Sequence, residues 1–200
     1  MARIAVADRR EALLAAAVRT IAARGVARAS VRDIAMAAEM PPASFHYVFD
    51  SRDAMLEQLA GALVAGQREQ VVASLAAADD LPALVGAALE GWLDRAVAEP
   101  DAEVVLHELI AWSRWTPGRG ELAAAVYEHY ESAVLSVVAV AHERFGTRWS
   151  VPERDVARLA LVLTDGTAAR WLVDRDEGSA RAALRRGAAA LLALVAEAGR

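Results

Sequence analysis

The sequence predicts an all-α chain, and three observations carry that prediction. Alanine, the best helix former, supplies 49 of the 200 residues, whereas glycine and proline together number only 18. Apolar residues recur at three- and four-residue spacing along most of the chain. No segment alternates apolar and polar residues for long enough to read as a strand. The length suffices for one large domain or two small ones, with a core that needs no covalent staples.

The elements follow in order. Leu13, Leu14, Ala17, Val18 and Ile21 form one apolar stripe, so a first helix is predicted over about 9–24, with Asp8 as a cap-like acid and Gly25 as a left-handed stop. Ser30-Val31-Arg32-Asp33 reads as a capping box, opening a second helix that runs to about Ala38. Proline is tolerated in a first turn and not in a helix interior, so Pro41-Pro42 ends one helix and starts another, a short third one to Val48. Asp50 or Ser51 caps a long fourth helix, 51–77. Asp79-Asp80-Leu81-Pro82 opens a fifth, which reaches Ala98, and Glu99-Pro100-Asp101 separates it from a sixth, 102–114. Thr116-Pro117-Gly118 is the clearest break in the second half. A seventh helix spans 119–145, with Gly146 behind it. Ser150-Val151-Pro152-Glu153 reads as another capping box, for an eighth helix to about Val173. Ser179 is the expected cap of a ninth, 180–198.

Composition excludes whole classes of chemistry. There is no cysteine, hence no disulfide, thiolate zinc site or cysteine nucleophile. All 22 basic residues are arginine, and without lysine neither a Walker A loop nor a Schiff base is possible. His107-Glu108 begins like a zinc-protease H-E-x-x-H but lacks the second histidine, and no nucleophile–base pair or metal cluster stands out. No catalytic residue, metal or cofactor is therefore expected, and an enzyme is the reading without a positive feature. No apolar run reaches the ~18 residues that span a membrane, and Met1 to Asp8 lacks a signal-peptide core, so a cytoplasmic protein is expected.

The net charge of −5 argues against nucleic-acid binding over the whole surface, but the charge is unevenly placed. Residues 1–52 hold eight arginines against five acids, a net of +3, on a body that is acidic. Within that basic part, the second and third helices are short and joined by a tight turn, the pattern of a helix-turn-helix whose second helix enters a major groove; plain scaffold fits the pattern too. Val31, Ile34, Ala35, Met40, Phe45 and Phe49 are the expected small core beside the first helix, leaving Ser44, His46, Tyr47 and Arg52 outward.

Ser30-Val31-Arg32-Asp33-Ile34-Ala35, followed by Ser44-Phe45-His46-Tyr47-Val48-Phe49-Asp50-Ser51-Arg52-Asp53-Ala54-Met55-Leu56, resembles the DNA-binding domain of the tetracycline-repressor (TetR) family of transcriptional regulators. The resemblance implies an N-terminal three-helix helix-turn-helix domain, residues 1–50, and a larger helical ligand-binding and dimerisation domain, residues 51–200. It implies a double-stranded DNA operator as partner and a repressor released by a small-molecule effector, which the aromatic residues of the body suggest is apolar or aromatic. The alternative is a helical ligand-binding protein without specific DNA binding. Three departures stand out. Glu39 occupies a turn position where the family often has glycine, at a cost of about 1 kcal/mol if left-handed. Pro41-Pro42 replace a capping serine and a polar residue, and His46 replaces a tyrosine. Base reading then falls to Pro42, Ser44, His46 and Tyr47, and phosphate contact to Arg28, Ser30, Arg32 and Arg52.

The body carries the expected effector site. Trp92, His107, Trp112, Trp115 and Tyr127 supply aromatic and polar groups suited to a small-molecule pocket, although core packing is the competing reading for each aromatic. Asp165 opens a segment, Asp165 to Leu172, similar to an eighth-helix segment of some family members. The eighth and ninth helices are long and apolar, and the ninth is apolar over more than one stripe, as expected of a helix buried on two sides, by its own body and by a second subunit. Leu191 is expected at that homodimer interface.

Overall fold

The computed structural model describes the backbone of residues 5–75 and 77–196, and all of their side chains except 67–74. Among the described residues there are nine α-helices: α1 Val6–Arg24, α2 Val31–Ala37, α3 Ala43–Val48, α4 Arg52–Leu75, α5 Leu81–Ala98, α6 Pro100–Trp115, α7 Gly120–Phe145, α8 Glu153–Asp174 and α9 Glu177–Leu192. One 3-10 turn, Val26–Arg28, lies between α1 and α2. No described helix is long and apolar enough to cross a membrane.

The chain divides into two compact units. The first comprises Met1–Leu63 and Asp101–Val126, the second Val64–Pro100 and Tyr127–Arg200. In the first, α1 packs on α2 and α3. Leu13, Ile21, Ile34, Phe45 and Phe49 are buried there, with the two phenylalanine rings 5.3 Å apart. Val31 and Met40, expected in this core, are only half-buried. In the second, α9 packs on α5 and α8 around Leu89, Leu93, Val156, Trp171, Leu184 and Leu191. A Cβ on Gly187 would lie 2.9 Å from Leu163 Cδ1, so the glycine is what permits α9 to approach α8 this closely.

Local signals place most helix ends. Ser30 Oγ accepts from the Asp33 N–H at 3.1 Å and the Asp33 carboxylate accepts from the Ser30 N–H at 3.2 Å, a complete capping box. Asp80 caps α5 through the Ala83 N–H at 2.8 Å. Ser51, of the two candidates, caps α4 through the Ala54 N–H at 3.0 Å. Gly25, at φ 77° and ψ 156°, stops α1, although in an extended rather than a left-handed helical conformation.

Four ends differ from expectation. α1 begins at Val6 with Ala5 at its N-cap and no side-chain cap, so Asp8 sits inside the first turn, where a carboxylate favours the helix dipole. The box expected at Ser150–Glu153 does not form: Pro152 is the N-cap, and Ser150 donates both its N–H (2.8 Å) and its hydroxyl (2.9 Å) to the Leu194 carbonyl. α9 starts earlier than Ser179, because Asp176 is the cap and Ser179 is its donor at 2.9 Å. α9 also stops at Leu192. The chain beyond it pairs with the segment before α8, through an antiparallel bridge between Trp149 and Val195. The expected last turn at 197–198 lies outside the described residues.

One correction bears on assembly. Leu191, expected at a subunit interface, is buried at 4 % exposure inside the core that α5, α8 and α9 of this same chain build. The exposed apolar residues of α8 are instead Val162 and Val173, with Gly166 and Ala169 exposed between them.

Candidate functional site

The eight residues expected at the DNA all lie in the first unit. α2 is seven residues and α3 six, joined by a turn in which Glu39 is left-handed at φ 55°. The turn therefore keeps a left-handed residue without glycine, at a cost of about 1 kcal/mol. Pro42 is the N-cap of α3 and offers no side-chain cap, as its chemistry requires. The chain still closes: the Ser44 N–H donates to the Pro41 carbonyl at 2.8 Å and the Phe45 N–H to that of Pro42 at 3.1 Å.

With Phe45 and Phe49 turned into the core, α3 leaves Pro42, His46 and Tyr47 exposed and Ser44 half-buried. Tyr47 is 62 % exposed, an unusual position for a large aromatic with a core at hand. The Arg9 guanidinium lies over its ring, 5.5 Å from the centroid. Arg28, Ser30 and Arg32 are exposed around the start of α2. The Ser30 hydroxyl is engaged with the Asp33 carboxylate, and Arg24 pairs with the same carboxylate at 3.0 Å. These hydrogen bonds, chiefly from Ser30, hold the Asp33 carboxyl below its ordinary range. The box thus stabilises α2 above the ordinary carboxylate range and is lost as pH falls through the lowered value.

Arg52 is half-buried, and its guanidinium is engaged with the chain itself. Nε donates to the Ala29 carbonyl at 2.9 Å and Nη2 to the Val26 carbonyl. The cation expected at a phosphate thus also holds the turn that precedes α2.

The six residues expected at an effector divide between the units. His107, Trp112 and Trp115 belong to the first, and Trp92, Tyr127 and Asp165 to the second. Tyr127 on α7 donates to the Asp165 carboxylate on α8 at 2.9 Å, and the Tyr130 ring meets the Tyr127 ring edge-on at 6.2 Å. Trp92 packs against the core of its unit. On α6, His107 Nδ1 is 3.0 Å from the Glu103 carbonyl and 3.6 Å from its buried carboxylate. Trp112 is half-buried, and its carbonyl accepts from the Thr116 hydroxyl at 2.8 Å. Trp115 stands 84 % exposed at the end of α6. Among the described residues, no three metal-ligating side chains gather into a site.

Sequence reasoning missed three contacts of the first unit. Arg9 meets Tyr47 as described. Arg119, behind the Thr116-Pro117-Gly118 break, pairs with Asp53 and with Glu57 (3.0 Å) on α4. Glu108, noticed only as half of an absent zinc motif, accepts from the Val26 N–H at 3.1 Å. The partners are separated by 38 to 82 residues, beyond the reach of helical spacing; only the invariable charge of arginine hinted that Arg119 needed a partner.

A short helix pair on a buried aromatic core, with its second helix exposed beside arginines, has the geometry of a helix-turn-helix. Residues 13–59 match the family described as bacterial regulatory proteins, tetR family. The matched stretch runs from α1 into α4 and so spans the helix-turn-helix. The chain is 27 % identical over 175 residues, 88 % of this chain and 89 % of the relative, to the HTH-type nicotine-responsive transcriptional repressor HdnoR of Paenarthrobacter nicotinovorans. Its fold is similar to that of the transcriptional regulator FadR from Bacillus subtilis, solved in complex with stearoyl-CoA, with TM-score 0.77, 13 % identity and coverage of 93 % of this chain and 99 % of the other. A transcriptional regulator from Rhodococcus sp. Rha1 is similar at TM-score 0.77, with 20 % identity over 95 % of this chain and 99 % of that one.

Proposed function

We propose that the chain is a repressor that binds an operator as a homodimer and leaves it when a small apolar or aromatic effector binds. The observation that carries this reading is Tyr47, a large aromatic held out of a core beside it, on the helix that the motif directs into a major groove. Pro42, Ser44, His46 and Tyr47 read the bases and adjoining backbone, while Arg28, Ser30, Arg32 and Arg52 hold phosphates. Residues 1–50 form the DNA-contacting part, and residues 51–200 the effector-binding and dimerising part. The exposed α8 face at Val162, Gly166, Ala169 and Val173, with α9 beside it, meets the second subunit. Such a regulator acts in the cytoplasm and has no catalytic step to perform.

The proposed effector residues are taken unit by unit: His107, Trp112 and Trp115 in the first, and Trp92, Tyr127 and Asp165 in the second. The repressor HdnoR responds to nicotine by its name, so nicotine is the first effector to try. Binding and release are linked: an effector that weakens DNA binding is itself weakened by DNA, typically by about 5–150-fold.

Gel shifts on the DNA upstream of the chain's own gene test this reading. The wild type should bind that duplex more tightly than random DNA; equal binding would sink the proposal. Tyr47→Ala should lower upstream-duplex affinity by about 10-fold or more and random-duplex affinity much less, since a lost base-edge contact is worth about 1–3 kcal/mol of discrimination. Equal losses on both duplexes would remove Tyr47 from the specificity residues. Trp112→Ala should leave effector-free binding and the melting temperature near wild type while abolishing release; a large fall in melting temperature would make Trp112 a core residue, worth about 3–5 kcal/mol.

A further inference from the structure

The geometry points to Glu108 as a positioning residue for the DNA-facing turn, an inference that rests on the DNA-binding reading above. The turn Val26–Arg28 leads into Ala29 and Ser30, and so sets where Arg28 and the start of α2 present themselves. Val26 is held on both sides of its residue. Its N–H donates to Glu108 Oε2 on α6 at 3.1 Å, and its carbonyl accepts from Arg52 on α4. Arg52 also holds the Ala29 carbonyl at 2.9 Å. A turn of three residues has few internal hydrogen bonds, so its direction follows the groups that grip it.

Gly25 gives independent support. A Cβ built there would lie 3.2 Å from Glu108 Oε2, tighter than ordinary contact, and the residue adopts φ 77°, which side chains rarely do. The backbone is thus opened at the one place where the carboxylate enters. A second tie joins the end of α6 to α4, the helix that carries Arg52: Arg119, just beyond α6, pairs with Asp53 and Glu57 in the first turns of α4. The two ties are opposite in sign and fall on separate elements. A hydrogen bond from a backbone N–H to a carboxylate is about twice as strong as a neutral one. Glu108 is therefore suited to set the turn, and the state of α6 reaches Arg28 and Ser30 through it.

Two variants of the full chain, Glu108→Ala and Glu108→Gln, test this, read by duplex binding and by hydrogen exchange of the backbone. In the free wild type, exchange at residues 25–30 should be slow; in Glu108→Ala it should be faster, with little change in melting temperature. Upstream-duplex affinity should fall about tenfold, the size expected for a lost charge-assisted hydrogen bond. Glu108→Gln keeps a neutral acceptor oxygen and should recover about half of that loss in free energy, roughly threefold in affinity. DNA binding should also alter exchange at residues 104–110 in the wild type and not in Glu108→Ala, which a merely stabilising side chain would not produce. Gly25→Ala, which crowds the carboxylate without removing it, should behave like Glu108→Ala and covers the case in which that variant folds poorly. Wild-type exchange at 25–30 in both Glu108→Ala and Gly25→Ala would overturn the assignment. If the wild type bound no duplex, the DNA reading would fail separately, because the exchange comparison needs no DNA.

Discussion

Val162→Glu is expected to give a folded monomer that binds its operator at least 100-fold more weakly than the wild type. Val162 is 67 % exposed on α8 and Val173 79 %, one face of a helix whose opposite face packs on α5 and α9. Nothing in the chain's own core depends on either side chain, so a carboxylate there costs little in the monomer. In the proposed dimer the same carboxylate would be buried against a second apolar helix face, where an unpaired charge is strongly unfavourable. A dimer holds two reading heads on one operator, and loss of the link removes the second head's effective concentration, a factor of about 10²–10⁴. Light scattering should show half the wild-type mass with an unchanged melting temperature. A dimer of normal mass would move the interface away from this face. Leu191→Glu does not serve as the test, because Leu191 lies within the chain's own core and its loss unfolds the subunit.

Phe45→Ala is expected to cost about 3–5 kcal/mol and to abolish duplex binding at physiological temperature. Phe45 has no exposed surface, lies 5.3 Å from the Phe49 ring and sits in the middle of a six-residue helix. So short a helix has no stability of its own; it exists because its apolar side packs on α1 and α2. Without the ring, α3 loses the contact that fixes its direction, and Tyr47 and His46 lose their common orientation with it. Urea unfolding should show the loss, with the largest change in exchange at residues 43–49. A variant of near-normal stability would mean that the remaining residues carry the head without Phe45.

The amino-acid sequence alone determined what depends on neighbours within one helical turn. The Ser30–Asp33 box, the stop at Gly25 and the break at Pro41-Pro42 are three- or four-residue events, settled by backbone chemistry before any packing. The all-α class, the basic excess of residues 1–52 over the acidic remainder, and the exposure of His46 and Tyr47 on α3 follow from composition and apolar spacing, whereas Ser44, expected outward, is half-buried. Only the tertiary structure decided which side chains the molecule turns to its own use. Arg52 grips Val26 and Ala29, Glu108 reaches the Val26 N–H across 82 residues, and Ser150 abandons a capping box for the Leu194 carbonyl. Leu191 and Val162 both look apolar in sequence, yet one fills the core and the other faces outward. The reason is that periodicity marks an apolar stripe without naming what covers it. A buried polar atom or an apolar face takes whichever partner the chain brings within reach, and that choice is made by helix packing over long sequence separations.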